Sequence, residues 1–204
     1  MSSYSERQMQ IIGAAIDLIA EKSIQELTIR NLAQKLGVTD GAIYRHFESK
    51  TDILLGILRT FQARAQTCME KACAADQPAL NKIENLFLGN FRYFSEHPSV
   101  TAVIFSESIF QNDGKLAQEV HCLLDMHETA LKCAIQRGQK EGEICERIPE
   151  NDLVRIIIGS MRYVVTKWRL SNFDFDLANE GVMMFTSLKK LLSPETNTRH
   201  KQLN

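Results

Sequence analysis

The sequence predicts an all-α protein, and three observations carry that reading. Apolar residues recur at spacings of three and four along almost the whole chain, no stretch alternates as a strand does, and only four prolines and ten glycines punctuate 204 residues. A hydrophobic fraction of 44% and a charged fraction of 24% lie near the averages for globular chains, which excludes global disorder and fibrous classes. At ~150 residues per domain, this length gives one to two domains with core enough to need no disulfide or metal staple.

About nine helices are expected. Ile12, Ala15, Ile16 and Ile19 form the apolar stripe of a first helix, roughly residues 5 to 22. Ile29, Leu32, Ala33 and Leu36 form that of a short second helix, capped by Thr28 and stopped at Gly37, where a left-handed residue is useful. Thr39 and Asp40 offer the N-cap of a third short helix that ends near Phe47. Ser49 and Asp52 have the spacing of a capping box and open a long fourth helix through Ile53, Leu54, Ile57, Leu58 and Phe61, which Asp76-Gln77-Pro78 ends. Phe87, Phe91 and Phe94 mark one face of a fifth helix terminated by His97-Pro98, after which Ser99 restarts the chain.

Asn112-Asp113-Gly114 reads as a turn. A long helix then carries Leu116, Val120, Leu123, Leu124, Met126, Leu131 and Ile135 as far as Gly138 or Gly142, and Ile148-Pro149 is the next break. A strongly apolar helix runs from Glu150 or Asn151 to Trp168 and Leu170. Ser171-Asn172-Phe173-Asp174 separates it from a last helix over about 175 to 192. The tail, 193–204, is polar and expected to be disordered.

No uncharged apolar stretch approaches the ~20 residues that span a bilayer, so no integral membrane protein and no membrane partner are expected. The start of the chain lacks the pattern of an export signal, and the five cysteines (Cys68, Cys73, Cys122, Cys133, Cys145) are odd in number and form no CxxC pair. Reduced thiols and a cytoplasmic location follow as expectations. A net charge of −1 excludes the crude mark of a nucleic-acid binder, so any such activity has to come from a local basic cluster.

That cluster lies in residues 28–50, TIRNLAQKLGVTDGAIYRHFESK. Two short helices that cross steeply need a small residue at the crossing, a left-handed turn, and a branched apolar residue that locks the angle. Ala33, Gly37 and Ile43 supply the three, as in a helix-turn-helix whose second helix fits the ~12 Å major groove. The solvent face of that helix then presents Thr39, Asp40, Gly41, Ala42, Arg45 and His46 to DNA. Gly41 and Ala42 let the backbone approach, Ala42 can touch a thymine methyl, and Arg45 reaches a guanine edge or a phosphate. Tyr44, His46 and Lys50 suit phosphate, and Lys50 and Thr51 stand where free amides of the fourth helix favour an anion. Arg30, Lys35, Arg45 and Lys50 outnumber Asp40 and Glu48, a modest basic surplus.

Residues 5–55 resemble the DNA-binding domain of the TetR family of one-component bacterial regulators. The family's L-T-x-R-x-L-A-x-x-L-G-V, then Y-x-H-F, then S-K-x-x-L, is matched nearly throughout from Leu27 to Leu54. The resemblance implies a homodimer on double-stranded DNA, in which Arg30 and the 39–46 helix read the major groove while Thr28, Tyr44, His46 and Lys50 hold phosphates. It implies a head over 1–50 and a helical ligand-binding and dimerisation domain over 51–192. It also implies a four-helix interface from the last two helices, with Gly159, Arg162, Tyr163, Thr166, Val182, Phe185 and Leu188. The expected function is a transcriptional regulator, a repressor released from a palindromic operator by a small-molecule effector, the fourth helix passing between two tilts. The alternative is a DNA-binding structural or cell-cycle factor whose C-terminal domain takes a protein partner.

Phe87, Phe91, Phe94, Phe105, Met126, Met161 and Trp168 are candidates for lining an effector pocket, though an aromatic stripe also reads as ordinary core; Phe110 and Tyr163 carry the same ambiguity. His121 with Asp125, and Glu119 with Cys122 and Met126, share helix faces, but no second ligand pair accompanies them and no metal or other cofactor is expected. A plain three-helix structural module remains the bland reading of 28–50. The GxSxG, GxGxxG, GxxxxGK[ST] and HExxH patterns are missing, so catalysis is not expected.

Overall fold

Ser5 starts the first helix through a reciprocal cap: its hydroxyl accepts from the Gln8 amide at 3.3 Å while Gln8 Oε1 accepts from the Ser5 amide at 3.0 Å. The structure, a computed structural model, describes residues 4–74, 76–105 and 113–194, the side chains of 71–74 aside. Phe110, Asn112 and the tail from 195 lie outside the described residues, as does the side chain of Cys73.

Among the described residues there are nine helices and no strand. They are α1 (Glu6–Glu21), α2 (Ile29–Leu36), α3 (Asp40–Tyr44), α4 (Lys50–Ala74), α5 (Ala79–Glu96), α6 (Pro98–Ile104), α7 (Gly114–Lys140), α8 (Glu150–Leu170) and α9 (Leu177–Leu192). The all-helical reading and the number of helices are those the sequence predicts.

Local chemistry explains most boundaries. Thr28 Oγ1 accepts from the Asn31 amide at 3.1 Å, and Gly37 ends α2 at φ +66°, a conformation that disfavours side chains. Ser49 and Asp52 bond reciprocally, Asp52 N–H to Ser49 Oγ at 3.2 Å and Ser49 hydroxyl to Asp52 Oδ2 at 2.8 Å, and α4 follows. Two ends differ from expectation. The third helix stops at Tyr44, short of Phe47, because the His46 amide folds back on Ile43 O (2.9 Å) and the His46 carbonyl accepts from Gln8 Nε2 of α1 (3.2 Å). The last helix starts at Leu177 because Trp168 Nε1 takes the Phe175 carbonyl at 2.9 Å, leaving Asp176 to cap by accepting from the Asn179 amide at 3.0 Å.

Two buried clusters form the core, and α4 belongs to both. Ile11, Ile12, Ala15, Leu18 and Ile19 of α1 pack with Leu32, Ala33, Ile43, Leu54 and Leu58. Val103 of α6 and Leu116 of α7 complete this cluster, so the N-terminal unit is cemented from outside itself. The second cluster gathers Phe61, Ala65, Phe87, Phe91, Phe94, Ile135, Ile157, Val165, Trp168, Phe185 and Leu188. Gly181 lets α9 close on α5: a Cβ there would lie 2.6 Å from Phe91 Cγ. Among the described residues no helix is long and apolar enough to cross a membrane.

Candidate nucleic-acid interface

The helix-turn-helix is assembled by its buried side and leaves the other side free. Val38 N–H donates to Ala33 O at 3.0 Å across the Gly37 turn, and Ile43, fully buried against the cluster of Leu32 and Ala33, fixes how α3 crosses α2. Thr28, Arg30, Thr39, Asp40, Gly41, Tyr44 and Arg45 are exposed, and Ala42 and His46 are half-buried. A Cβ on Gly41 would meet nothing nearer than Thr39 Oγ1 at 4.0 Å, so the fold itself does not require glycine there.

The charge on this face is redistributed relative to the sequence count. Lys35 pairs with Glu21 at 2.7 Å, which removes it from the basic surplus. Arg30 and Arg45 have no ion-pair partner among the described residues. Lys50 Nζ donates to Ile24 O at 3.0 Å and burial lowers its pKa; two of its three N–H donors remain available.

The head is coupled to the C-terminal helices through the start of α4. The Thr51 hydroxyl donates to Asp113 Oδ2 at 3.0 Å, while Asp113 Oδ1 accepts from the Lys115 and Leu116 amides (3.0 and 3.3 Å) and so caps α7. The Thr51 hydroxyl, then the Leu116 amide, hold the Asp113 carboxyl below the ordinary carboxylate range. Two turns further along α4, Arg59 Nε reaches Glu119 Oε2 of α7 at 3.1 Å.

Beyond Arg59, α4 walls two connected spaces. An open groove of about 540 Å³ is lined by Arg64, Cys68, Asn85, Arg92, Tyr93 and Glu96 among others, charged side chains beside apolar ones. It meets an apolar cavity of about 20 Å³, lined by Met69, Phe87, Leu131, Ile157, Ile158 and Met161. Of the aromatic and methionine candidates, Phe87 and Met161 line this cavity. Phe91, Phe94 and Trp168 do not: they are buried core, Phe94 packed on Phe61 with centroids 5.8 Å apart. Phe105 stands edge-on to Phe94 at 5.6 Å, and Met126 packs half-buried against the core.

Sequence reasoning missed Arg64, Tyr93 and His127. His127 is mostly buried between Leu123 and Leu131 on one face of α7, a spacing that could have marked it. Its Nδ1 lies 2.8 Å from Leu123 O, and burial lowers its pKa.

The expected interface set divides in two. Phe185 and Leu188 are only 2% and 5% exposed, Phe185 lying 5.7 Å from the Phe87 ring, so they are core and unavailable to a partner. Arg162 turns toward the Phe105 ring at 5.7 Å. Gly159, Tyr163, Thr166 and Val182 are exposed; Ile156, Leu170 and Met183 join them. Ile156, Gly159, Tyr163, Thr166 and Leu170 recur by threes and fours along one face of α8, with Tyr163 66% and Leu170 81% exposed.

A helix-turn-helix whose reading face is free, mounted on a long helix that also walls a cavity, defines the class of DNA-binding regulators. Residues 11–57 match the model for bacterial regulatory proteins of the tetR family, and residues 61–190 match the C-terminal region of YsiA-like proteins. The chain belongs to the tetR family of bacterial regulatory proteins, and its role is DNA-binding transcription regulation. It is 25% identical over 177 residues to the fatty acid metabolism regulator protein of Bacillus subtilis (strain 168), covering 87% of this chain and 91% of that one. It is 25% identical over 173 residues to the nucleoid occlusion factor SlmA of Haemophilus influenzae (strain PittGG), covering 82% of this chain and 79% of the other. Its fold is that of the transcriptional regulator FadR from Bacillus subtilis in complex with stearoyl-CoA, at a TM-score of 0.78 and 24% identity over 90% of this chain and 98% of that one.

Proposed function

We propose that the protein is a homodimeric repressor that binds a palindromic operator and leaves it when an amphipathic small molecule enters the space between α4, α5, α7 and α8. The observation that carries this reading is the position of α4: its first residue, Lys50, belongs to the DNA-reading head and its later turns wall the groove and cavity. A ligand that alters the tilt of α4 thereby changes the spacing of two heads that must fall ~34 Å apart on DNA.

The head comprises residues 1–50 and the sensing domain 51–192. Arg30, Thr39, Asp40, Gly41, Ala42 and Arg45 face the bases, and Thr28, Tyr44, His46 and Lys50 hold phosphates. The dimer forms through the exposed face of α8 with Val182, Met183 and Thr186 of α9. The effector is an acyl thioester or a close analogue, a class supported by the stearoyl-CoA in the FadR complex and by the pairing of an apolar cavity with an arginine-bearing groove.

The cavity is nearly closed in this state, with room for about one water. Admitting a chain requires Met69 and Met161 to swing aside, which the unbranched thioether side chain does at low cost. Selection of genomic fragments by the purified protein, followed by titration of the recovered fragment with stearoyl-CoA, tests the proposal. A palindromic fragment released by the thioester is the expected result; retention of the fragment at saturating thioester rejects the effector class. The likeness to SlmA supports the competing reading of a factor without a small effector, which predicts no thermal stabilisation by any amphiphile.

A further inference from the structure

The groove and the cavity meet at a throat made of Met69, Leu86, Asn90 and His127, which line both. Beside it, on the groove side, Arg64 of α4 lies with its guanidinium carbon 3.5 Å from the centroid of the Tyr93 ring and donates Nη2 to Gly89 O at 3.4 Å. No carboxylate pairs with Arg64 among the described residues, although Glu96 lines the same groove. The guanidinium is therefore a half-buried cation whose counter-group is an aromatic face. A π-face holds it more weakly than a carboxylate or phosphate gripped by two parallel N–H donors.

His127 sets the other side of the throat. Its Nδ1 faces the Leu123 carbonyl, which only accepts, so Nδ1 carries the proton and Nε2 is left as an acceptor. Burial keeps the ring neutral. An anion is thus attracted to Arg64 and disfavoured at His127, which fixes its place in the groove and sends an attached chain through the throat.

We propose that Arg64 is the specificity-determining residue of the sensing site, selecting ligands with an anionic head by exchanging the Tyr93 face for the anion. The inference rests on the effector reading above. The head group is a carboxylate or a phosphate, which the guanidinium fork fits alike. Arg64 stands fourteen residues along the helix that begins at Lys50, ~21 Å from the DNA head at 1.5 Å per residue, so capture of the anion acts directly on the element that carries the head.

Isothermal titration of the full chain with decanoate, decanoyl-coenzyme A and 1-decanol tests this, for the wild type, Arg64→Met, Arg64→Lys and Tyr93→Leu, each checked for fold by circular dichroism. The wild type should bind one of the anionic probes at least about tenfold tighter than decanol. Arg64→Met should erase that preference without changing decanol binding, and Arg64→Lys should restore part of it. Tyr93→Leu should tighten anion binding roughly threefold to tenfold, because the resting partner of the guanidinium is gone. Whichever anion Arg64→Met weakens identifies carboxylate or phosphate as the head. Equal wild-type affinity for decanol and both anions overturns head-group selection while leaving a small-molecule effector in place, as does an equal loss of all three probes in Arg64→Met. Binding of none of the three overturns the inference together with the acyl effector reading.

Discussion

Thr51 and Asp113 tie the start of α4, one residue beyond the head, to α7 by a hydrogen bond: the hydroxyl in the first turn of α4 donates at 3.0 Å to the carboxylate that caps α7. Thr51→Val keeps the shape and removes the donor, leaving the Asp113 cap intact. The expected outcome is near-normal operator binding with weakened release, the effector concentration for half-release rising about threefold to tenfold. The Asp113 carboxyl, held low mainly by Thr51, should titrate closer to the ordinary carboxylate range in the variant. Since a depressed carboxyl stabilises the fold above its unfolded pKa and that contribution is lost as pH falls through the folded value, the variant should begin to lose it at higher pH. Carbon-detected NMR titration of Asp113 measures the shift directly.

Gly41 separates folding from DNA reading. Nothing in the fold lies close enough to exclude a Cβ, and alanine in a helix gains ~0.5–1 kcal/mol over glycine. Gly41→Ala should therefore raise the unfolding midpoint in urea while lowering operator affinity, because the added methyl stands between the α3 backbone and the groove floor. Opposite signs are the test; unchanged operator affinity would remove Gly41 from the interface.

Much of the head was legible because its determinants are local. Thr28, Gly37 and Ile43 act on neighbours within one turn or one crossing, so their spacing alone placed α2, the turn and α3. The C-terminal half was less legible because its helices are apolar on two faces. In α9, Leu177, Gly181, Phe185, Leu188 and Leu192 point inward while Val182 and Met183 point out, and only the position of α5 decides which is which. The family resemblance put Phe185 and Leu188 in the interface, and only their burial within the chain shows that they are core. Arg64, Tyr93 and His127 stayed hidden for a related reason: each is an unremarkable residue on its own helix, and the site exists only where α4, α5 and α7 converge.

His127 gives a pH dependence with a defined sign. Burial lowers its pKa from the ordinary value of 6.5, so the unfolded chain takes up the proton first as pH falls. Stability from the neutral ring is present above pH ~6.5 and is lost progressively as pH falls from there through the folded value. His127→Phe, which keeps a ring to stack on Phe61, should flatten this part of the stability profile. Urea titrations between pH 7 and pH 5 on both proteins provide the comparison, and an identical slope would place the pH sensitivity elsewhere.

Gly181 marks the closest approach of α9 to α5. An alanine Cβ would stand 2.6 and 2.7 Å from Cγ and Cδ1 of the fully buried Phe91, atoms at the root of the ring that cannot swing away as a flexible side-chain end does. Relief requires α9 to shift or Phe91 to leave its rotamer, at ~1–3 kcal/mol, more than the helical preference for alanine returns. Gly181→Ala should lower the urea midpoint accordingly, and a midpoint at or above the wild-type value would mean that α9 moves freely against α5.

Tyr163 tests the dimer face without disturbing the core. It is 66% exposed and lies in the row formed by Ile156, Gly159, Thr166 and Leu170, while Val164 and Val165 beside it are buried within the chain. In the proposed dimer, a carboxylate at this position takes the place of an aromatic ring and has to be desolvated, which weakens the contact in both copies. Tyr163→Glu should weaken self-association by roughly tenfold or more, read by sedimentation equilibrium. The fold of each subunit should change by no more than ~0.5 kcal/mol, because the side chain makes little contact within its own chain. Operator binding should fall with dimerisation and recover at protein concentrations that restore the dimer. Failure to recover at any concentration would mean that the residue acts on the DNA head through the chain itself, and a dimer of undiminished affinity would move the interface off this face of α8.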